Sequence, residues 1–313
     1  MRCASLRLLA ACTAARQWLR DMNSGALYAL LAFGIWGLYP LYLRELATVS
    51  SAEIVLHRSV WSLVFLLGVL AVLRRWQWLV ALLKTPRQLW MPLVSGLLLA
   101  VNWLLYVYAV QSAQVVEASL GYFINPLLSV CLGVLVLRER LLRVQWVAVG
   151  FAAAGVLWLT WHTGRLPWLG LALAATFAVY GLLRKTARLG PLEGLTLETL
   201  LIAPVVLPWL AWISFDGSGA LATASPGLLF WLVMAGPLTA VPLMMFAAAA
   251  RRLKLATVGL FQYLSPSLQL GIGVVVFGEP FDAQRLAGFV LIWTGLAVYT
   301  AHSLALSRRA GVG

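Results

Sequence analysis

Charge is scarce in this 313-residue chain: Asp, Glu, Lys and Arg make up 11% of it while 62% is hydrophobic, against about 25% charged in ordinary soluble domains. A water-solvated globule is thereby excluded. Cysteine is scarce too, and Cys3, Cys12 and Cys131 have neither metal-ligand spacing nor a disulfide framework, so no metal and no cofactor is expected. No G-x-x-x-x-G-K-S/T phosphate loop occurs. The longest connection between apolar runs is about 16 residues, short of the ~50 a soluble domain needs, which argues against ATP-driven pumping by this chain alone. Catalysis in the bilayer would need a nucleophile, a base or a metal cluster held together. His162 and His302 stand at the ends of apolar runs with no Cys or Asp cluster beside them, so no enzyme is expected.

What the chain has in quantity is long apolar runs. A hydrocarbon core of about 30 Å takes roughly 20 apolar residues in a helix. Ten segments meet or approach that, near 24–43, 53–73, 90–110, 118–137, 144–161, 166–183, 195–213, 227–249, 256–278 and 284–303. The formal charge of +13 would suggest nucleic acid in a soluble protein. Here the basic residues cluster between apolar runs and read as membrane topology, with no nucleic-acid partner. Of the 23 Lys and Arg, all but Arg44, Arg58, Arg165 and Arg285 fall on one side of the ten spans. That asymmetry predicts both termini in the cytoplasm of a bacterial cell and a multi-pass protein of the inner membrane. Residues 1–21 carry Arg2, Arg7, Arg16 and Arg20 around a short apolar patch and lack the h-region of a signal peptide. With Met22 directly before the first span, they are expected to be an extension outside the fold.

Displacing the chain against itself by 140 residues aligns its halves without a gap. Pro126 falls on Pro266, Glu139 on Glu279, Arg44 on Arg184, Glu53 on Glu193, Gly155 on Gly295 and His162 on His302. The predicted architecture is an all-α integral membrane protein with repeats over 24–162 and 164–303 and a cytoplasmic tail from 304 to 313. Five spans per half is an odd number, so the second half enters the membrane inverted, as in many secondary transporters.

Polar groups are costly in hydrocarbon and mark candidate sites. In the fourth span Tyr122, Asn125 and Ser129 share one helical face, and Pro126 removes a hydrogen bond beside it. The ninth span repeats this with Gln262, Ser265 and Gln269 around Pro266. Both prolines are expected to break their helices, and both helices to wall a solute pathway. The competing reading has prolines kinking packed helices and amides joining neighbours. Only 15 residues, about 22 Å of helix, separate Arg58 from the end of its span, so Arg58 is expected within the membrane; the competing reading is a snorkelling interfacial side chain. The repeat sets Glu198 opposite Arg58, at the other end of the bilayer, as parts of opposite gates. Trp36, Tyr39, Asn102 and Tyr106 complete the candidate lining; of the 15 Trp, most others suit interfacial belts. His57, Glu117 and Glu198 are the titratable candidates for ion or proton coupling, although Glu117 also suits a helix N-terminus.

These residues resemble a known family. Trp36-Gly37-Leu38-Tyr39-Pro40, Glu53 to Ser62 (EIVLHRSVWS), Asn102-Trp103 and above all Glu117 to Leu128 (EASLGYFINPLL) are similar to the RarD-type permeases, or chloramphenicol-sensitivity proteins. These belong to the drug/metabolite transporter superfamily with paired EamA repeats. Glu139-Arg140-Leu141, Pro167-Trp168, Tyr180-Gly181-Leu182, Glu198 and Gln262-Tyr263 extend the likeness over Ser24 to Ser303. The resemblance implies a ten-helix permease with a central cavity between the repeats, alternating access, and export of a drug or metabolite. The expected cavity is lined by the first, third, fourth, sixth, eighth and ninth spans, with Arg58 and Glu198 added from the second and seventh. Its aromatic and amide lining suits a small amphipathic organic solute. A passive channel or facilitator is the alternative, and a membrane-embedded enzyme ranks below it.

Overall fold

Helices form over the apolar runs, because a backbone in lipid must satisfy its own hydrogen bonds. The computed structural model describes residues 24–74, 76–78, 89–111, 115–163, 168–217, 219–222, 224–276 and 283–311, which are helical with short connections and contain no strand. The first span, α1, is Ser24–Glu45. It is followed by α2 Ser51–Leu73, α3 Trp90–Gln111, α4 Val115–Leu135, α5 Arg143–Thr163, α6 Trp168–Thr186, α7 Pro191–Phe215 and α8 Pro226–Arg252. The ninth, α9, comes in two pieces, Leu255–Phe261 and Leu264–Val275, and α10 is Ala283–Gly311. The 1–21 extension lies outside the described residues. Residues 304–311 of the expected tail are helical in continuation of α10, with no Pro or Gly over 304–310 to end the helix.

Five helices, α1, α2, α5, α7 and α8, are by themselves long and apolar enough to cross a bilayer among the described residues. The outward surface fits lipid. Phe215, Trp161, Val275 and Val72 are at least 82% exposed, which water would penalise as contiguous apolar surface.

Caps at the helix ends are polar and local. Ser50 accepts the Glu53 N–H at the start of α2, and Ser225 does the same for Leu228 at the start of α8. Glu139 accepts the N–H groups of Leu255 and Ala256 at 2.8 and 3.1 Å, placing a carboxylate at the positive end of α9.

Helix pairings are preserved when the halves are exchanged. α5 packs on α10, α4 on α9 and α2 on α7; α2 with α8 corresponds to α3 with α7, and α4 with α6 to α9 with α1. Two glycine contacts show the same exchange at atomic scale. A Cβ on Gly155 would stand 2.6 Å from the Gly288 carbonyl oxygen, and one on Gly295 would stand 2.6 Å from that of Ala148. The two contacts map onto each other by the 140-residue displacement. Likewise Gly96 of α3 lies against the Glu198 backbone of α7, and its equivalent, Gly236 of α8, against the Trp61 backbone of α2. Small residues let helices approach closely where lipid supplies no hydrophobic drive between them.

Gly236→Ala should therefore lower the unfolding midpoint of the detergent-solubilised protein, since overpacking costs about 1–3 kcal/mol. Gly68→Ala, where an added Cβ meets nothing within 4 Å, should be neutral or stabilising by up to about 1 kcal/mol. Equal midpoints for the two variants would contradict a tight α2–α8 crossing.

Candidate functional site

The site begins with a defect in α1. In a helix the Trp36 carbonyl would accept from residue 40, but that residue is Pro40 and has no N–H. The helix turns at Leu38 and restarts at Tyr39. Gln269 of α9 supplies the missing donor, its Nε2 3.0 Å from the Trp36 oxygen, and Ser265 Oγ donates to the Phe33 carbonyl at 2.6 Å. α9 has a matching defect. Pro266 leaves the Gln262 carbonyl without its helical donor, the helix stops at Phe261, and Ser265 N–H takes that carbonyl in a tighter turn at 3.3 Å.

Pro126 behaves otherwise. The sequence predicts a break there, yet α4 runs unbroken from Val115 to Leu135. One absent hydrogen bond is tolerated where neighbours hold the helix. Here Gly121 abuts Gly170 of α6, and Gly259 of α9 abuts the Pro126 carbonyl. Pro204, Pro208, Pro237 and Pro242 also lie inside continuous helices.

Between these elements lies a cavity of about 180 Å³. Nine of the ten residues nominated from sequence line it: Trp36, Tyr39, Arg58, Asn102, Tyr106, Tyr122, Asn125, Gln262 and Ser265. Pro266 lines it as well. The walls come from α1, α2, α3 and α4 of the first half and α6, α8 and α9 of the second. Asn102 is held to α6, donating to the Leu173 carbonyl at 2.9 Å and to Thr176 Oγ1 at 2.8 Å. Asn125 and Gln262 are 7% and 4% exposed, and each has an amide oxygen without a partner; Gln262 Nε2 reaches Ser129 Oγ at 3.4 Å. Aromatic rings make up the rest of the wall. Trp36 packs on Phe33 and Phe177 with centroids 5.5 and 5.8 Å away, and Tyr106 meets Tyr122 edge-on at 6.4 Å.

Arg58 is the charged residue of this wall. Its guanidinium lies 4.2 Å from the Trp103 ring centroid and 5.8 Å from that of Tyr39. No carboxylate is paired with it among the described residues, and its Nε is buried without a hydrogen bond. A cation inside the membrane costs about 2.5–3.5 kcal/mol on insertion scales, and a desolvated cation–π contact returns about 2. The cation–π contacts therefore offset part of the cost.

Glu198 is the exception among the nominated residues. It does not line the cavity; α7 contributes nothing to it. Glu198 is 1% exposed, accepts from Ser95 Oγ at 2.5 Å and from Tyr180 at 3.3 Å, and pairs with Arg184 Nη1 at 3.2 Å. Arg184, counted from sequence as a loop residue, sits in the last turn of α6 at 2% exposure and also donates to the carbonyls of Gly190 and Pro191. Span arithmetic gives the depth of Glu198 without its direction, and a buried Arg across the helix interface takes its charge.

His57 is likewise off the cavity. His57 precedes Arg58 by one position, which on a helix is about 100° of rotation. It is fully buried, accepts from Trp61 Nε1 at 3.3 Å and lies 3.6 Å from Glu53 Oε1. The side chain of Glu117 lies outside the described residues. The wall also includes Phe33, Leu43, Trp103 and Phe177, which sequence reasoning does not place in the site, and Gln269, which it does. Gln269 is legible as the third residue of the Gln262 face. Trp103 is legible only as a neighbour of Asn102, because nothing local says that it stacks on Arg58.

The model of the EamA-like transporter family matches twice, over residues 23–161 and 166–301. Protein RarD of Streptomyces exfoliatus is 44% identical over 289 residues, 92% of each chain. An uncharacterized transporter of Pseudomonas aeruginosa is 43% identical over 92% of this chain and 97% of its own. Protein RarD of Escherichia coli is 39% identical over 93% and 98%. A solved crystal structure superposes with a TM-score of 0.66 over 92% of this chain and 99% of the other, at 19% identity, which is a likeness of fold alone. With two family matches spanning nearly all of the helical bundle, the chain belongs to the EamA-like transporter family and is a multi-pass membrane transporter.

Proposed function

We propose that this protein is a secondary transporter that exports a small organic metabolite across the bacterial inner membrane by alternating access, with both termini cytoplasmic. The observation that carries the reading is the cavity between the two halves, walled by the equivalent proline-bearing helices α4, through Tyr122 and Asn125, and α9, through Gln262 and Ser265. Binding at the interface between repeats lets a rocking of one half against the other expose the same site to either side. The orientation rests on the excess of Lys and Arg on the side of the termini. The cavity of about 180 Å³ is below the ~300–1,000 Å³ of drug-sized sites, which favours a metabolite over a multi-ring drug. Energy would come from an ion or solute gradient.

Equivalent positions of the two halves support the alternation. Arg58 and Glu198 correspond under the repeat, yet Arg58 faces the cavity while Glu198 is sealed by Ser95, Tyr180 and Arg184. In this reading the Glu198 cluster is the fastened gate on the basic side of the bundle, and the cavity communicates with the other side.

A metabolite that binds this site at 100 times its dissociation constant should stabilise the purified protein by about 2.7 kcal/mol. Asn125→Ala and Gln262→Ala should each lose that thermal shift and impair flux in proteoliposomes while inserting normally; undiminished flux in both would sink the paired-helix site. Glu198→Ala should cost about 3–5 kcal/mol by leaving the Arg184 charge buried alone, read as a fall in unfolding midpoint. The apolar pair Glu198→Leu with Arg184→Met should recover much of the loss, whereas an unchanged midpoint in the single variant would show that the ion pair fastens nothing.

A further inference from the structure

We infer that the transported solute is a monoanion, its negative group held by Arg58 and its aromatic or otherwise apolar body lying among Trp36, Tyr106 and Tyr122. The inference rests on the transport reading of the cavity and adds to it the charge of what is carried.

The cavity wall contains one cation and no carboxylate among the described residues. The carboxylates nearest in sequence are already engaged. Glu53 accepts the Ala220 N–H at 2.6 Å and lies beside His57, and Glu45 is 3.8 Å from Arg44. Glu198, the residue equivalent to Arg58 in the second half, is held by Arg184. The protein thus provides Arg58 with ring faces instead of a counter-ion.

Those rings leave the edge of the guanidinium free. The guanidinium carbon lies 4.2 Å from the Trp103 ring centroid, a contact that consumes no N–H donor, and the guanidinium makes no hydrogen bond or ion pair to a protein group among the described residues. Planar N–H pairs match a carboxylate in bidentate fashion, and charge-assisted bonds of this type are about twice as strong as neutral ones. The Tyr39 hydroxyl, on the ring that also flanks the guanidinium, is buried without a partner and offers one more donor. A single cation matches a single negative charge. A cationic solute meets the same sign of charge with no acid to receive it, and a zwitterion would find only neutral amide oxygens and ring faces for its ammonium group, with no carboxylate to neutralise it.

The apolar body follows from the rest of the wall. Trp36, Phe33 and Phe177 form one aromatic face, and Tyr106 with Tyr122 another. Such rings recognise flat apolar groups by offset or edge contacts. The primary amides of Asn125 and Gln262 stand at the α4–α9 side, where a neutral polar substituent of the solute would be read.

The test uses the full chain with Cys3, Cys12 and Cys131 replaced by Ser and a reporter, Leu43→Cys, on the cavity wall. The detergent-purified protein is treated with methanethiosulfonates carrying a sulfonate, a trimethylammonium or an uncharged ethyl group, and each rate is divided by that of a free thiol in solution. A charged cleft raises the local concentration of oppositely charged molecules about tenfold or more. The normalised sulfonate rate should therefore exceed the ammonium rate by about that factor, the preference should vanish in Arg58→Gln, and it should persist in Arg58→Lys. In a second arm, phenylacetate should protect the reporter from the ethyl reagent at a concentration about tenfold or more below that of phenylacetamide. Equal normalised rates for anion and cation, or protection by both compounds alike or by neither, overturns the inference and leaves the transporter reading standing. No reaction with any reagent removes the cavity from the solute path and overturns both readings.

Discussion

The carbonyl of Trp36 has no donor within its own helix because Pro40 brings none, and inside a bilayer that defect has to be repaired by the protein. Gln269 repairs it from α9, and Ser265 of the same helix holds the Phe33 carbonyl one turn earlier. These two bonds tie the first half of the chain to the second at the wall of the cavity. They also let α1 change course at Leu38 and bring Trp36, Tyr39 and Leu43 onto the same cavity wall. Without them the break in α1 would expose backbone to hydrocarbon, and each unsatisfied group would cost several kcal/mol.

Around that junction the halves are assembled by contacts that repeat. Gly155 on Gly288 and Gly295 on Ala148 form one reciprocal pair; Gly96 on α7 and Gly236 on α2 form another. Lipid gives helices no hydrophobic reason to associate, so close backbone approach and dispersion hold the crossings. Duplicated small residues at duplicated positions are the simplest way to build both crossings from one design.

Equivalent residues nevertheless have unlike surroundings. Pro126 is carried inside a continuous α4, whereas Pro266 follows a break in α9. Arg58 stacks on Trp103 at the cavity, whereas Glu198 is enclosed by Ser95, Tyr180 and Arg184. Arg44 is exposed beside Glu45, whereas its equivalent Arg184 is buried on Glu198.

Composition and the length of the apolar runs by themselves determined that this is a polytopic helical membrane protein, since only helices of about 20 apolar residues or closed barrels satisfy a backbone in lipid. The constant 140-residue displacement determined the two halves, and the helical spacing of Tyr122 with Asn125 and of Gln262 with Ser265 determined which faces carry polar groups. Span arithmetic predicts Arg58 and Glu198 well inside their spans, but depth along an axis carries no rotation about it. Only the tertiary structure decided that Arg58 turns to the cavity, that Glu198 turns away to Arg184, that Trp103 lies against Arg58, and that Gln269 reaches the Trp36 carbonyl. Those outcomes depend on which helices pack side by side, and partners such as Gln269 and Trp36, 233 residues apart, meet through packing that no local pattern encodes.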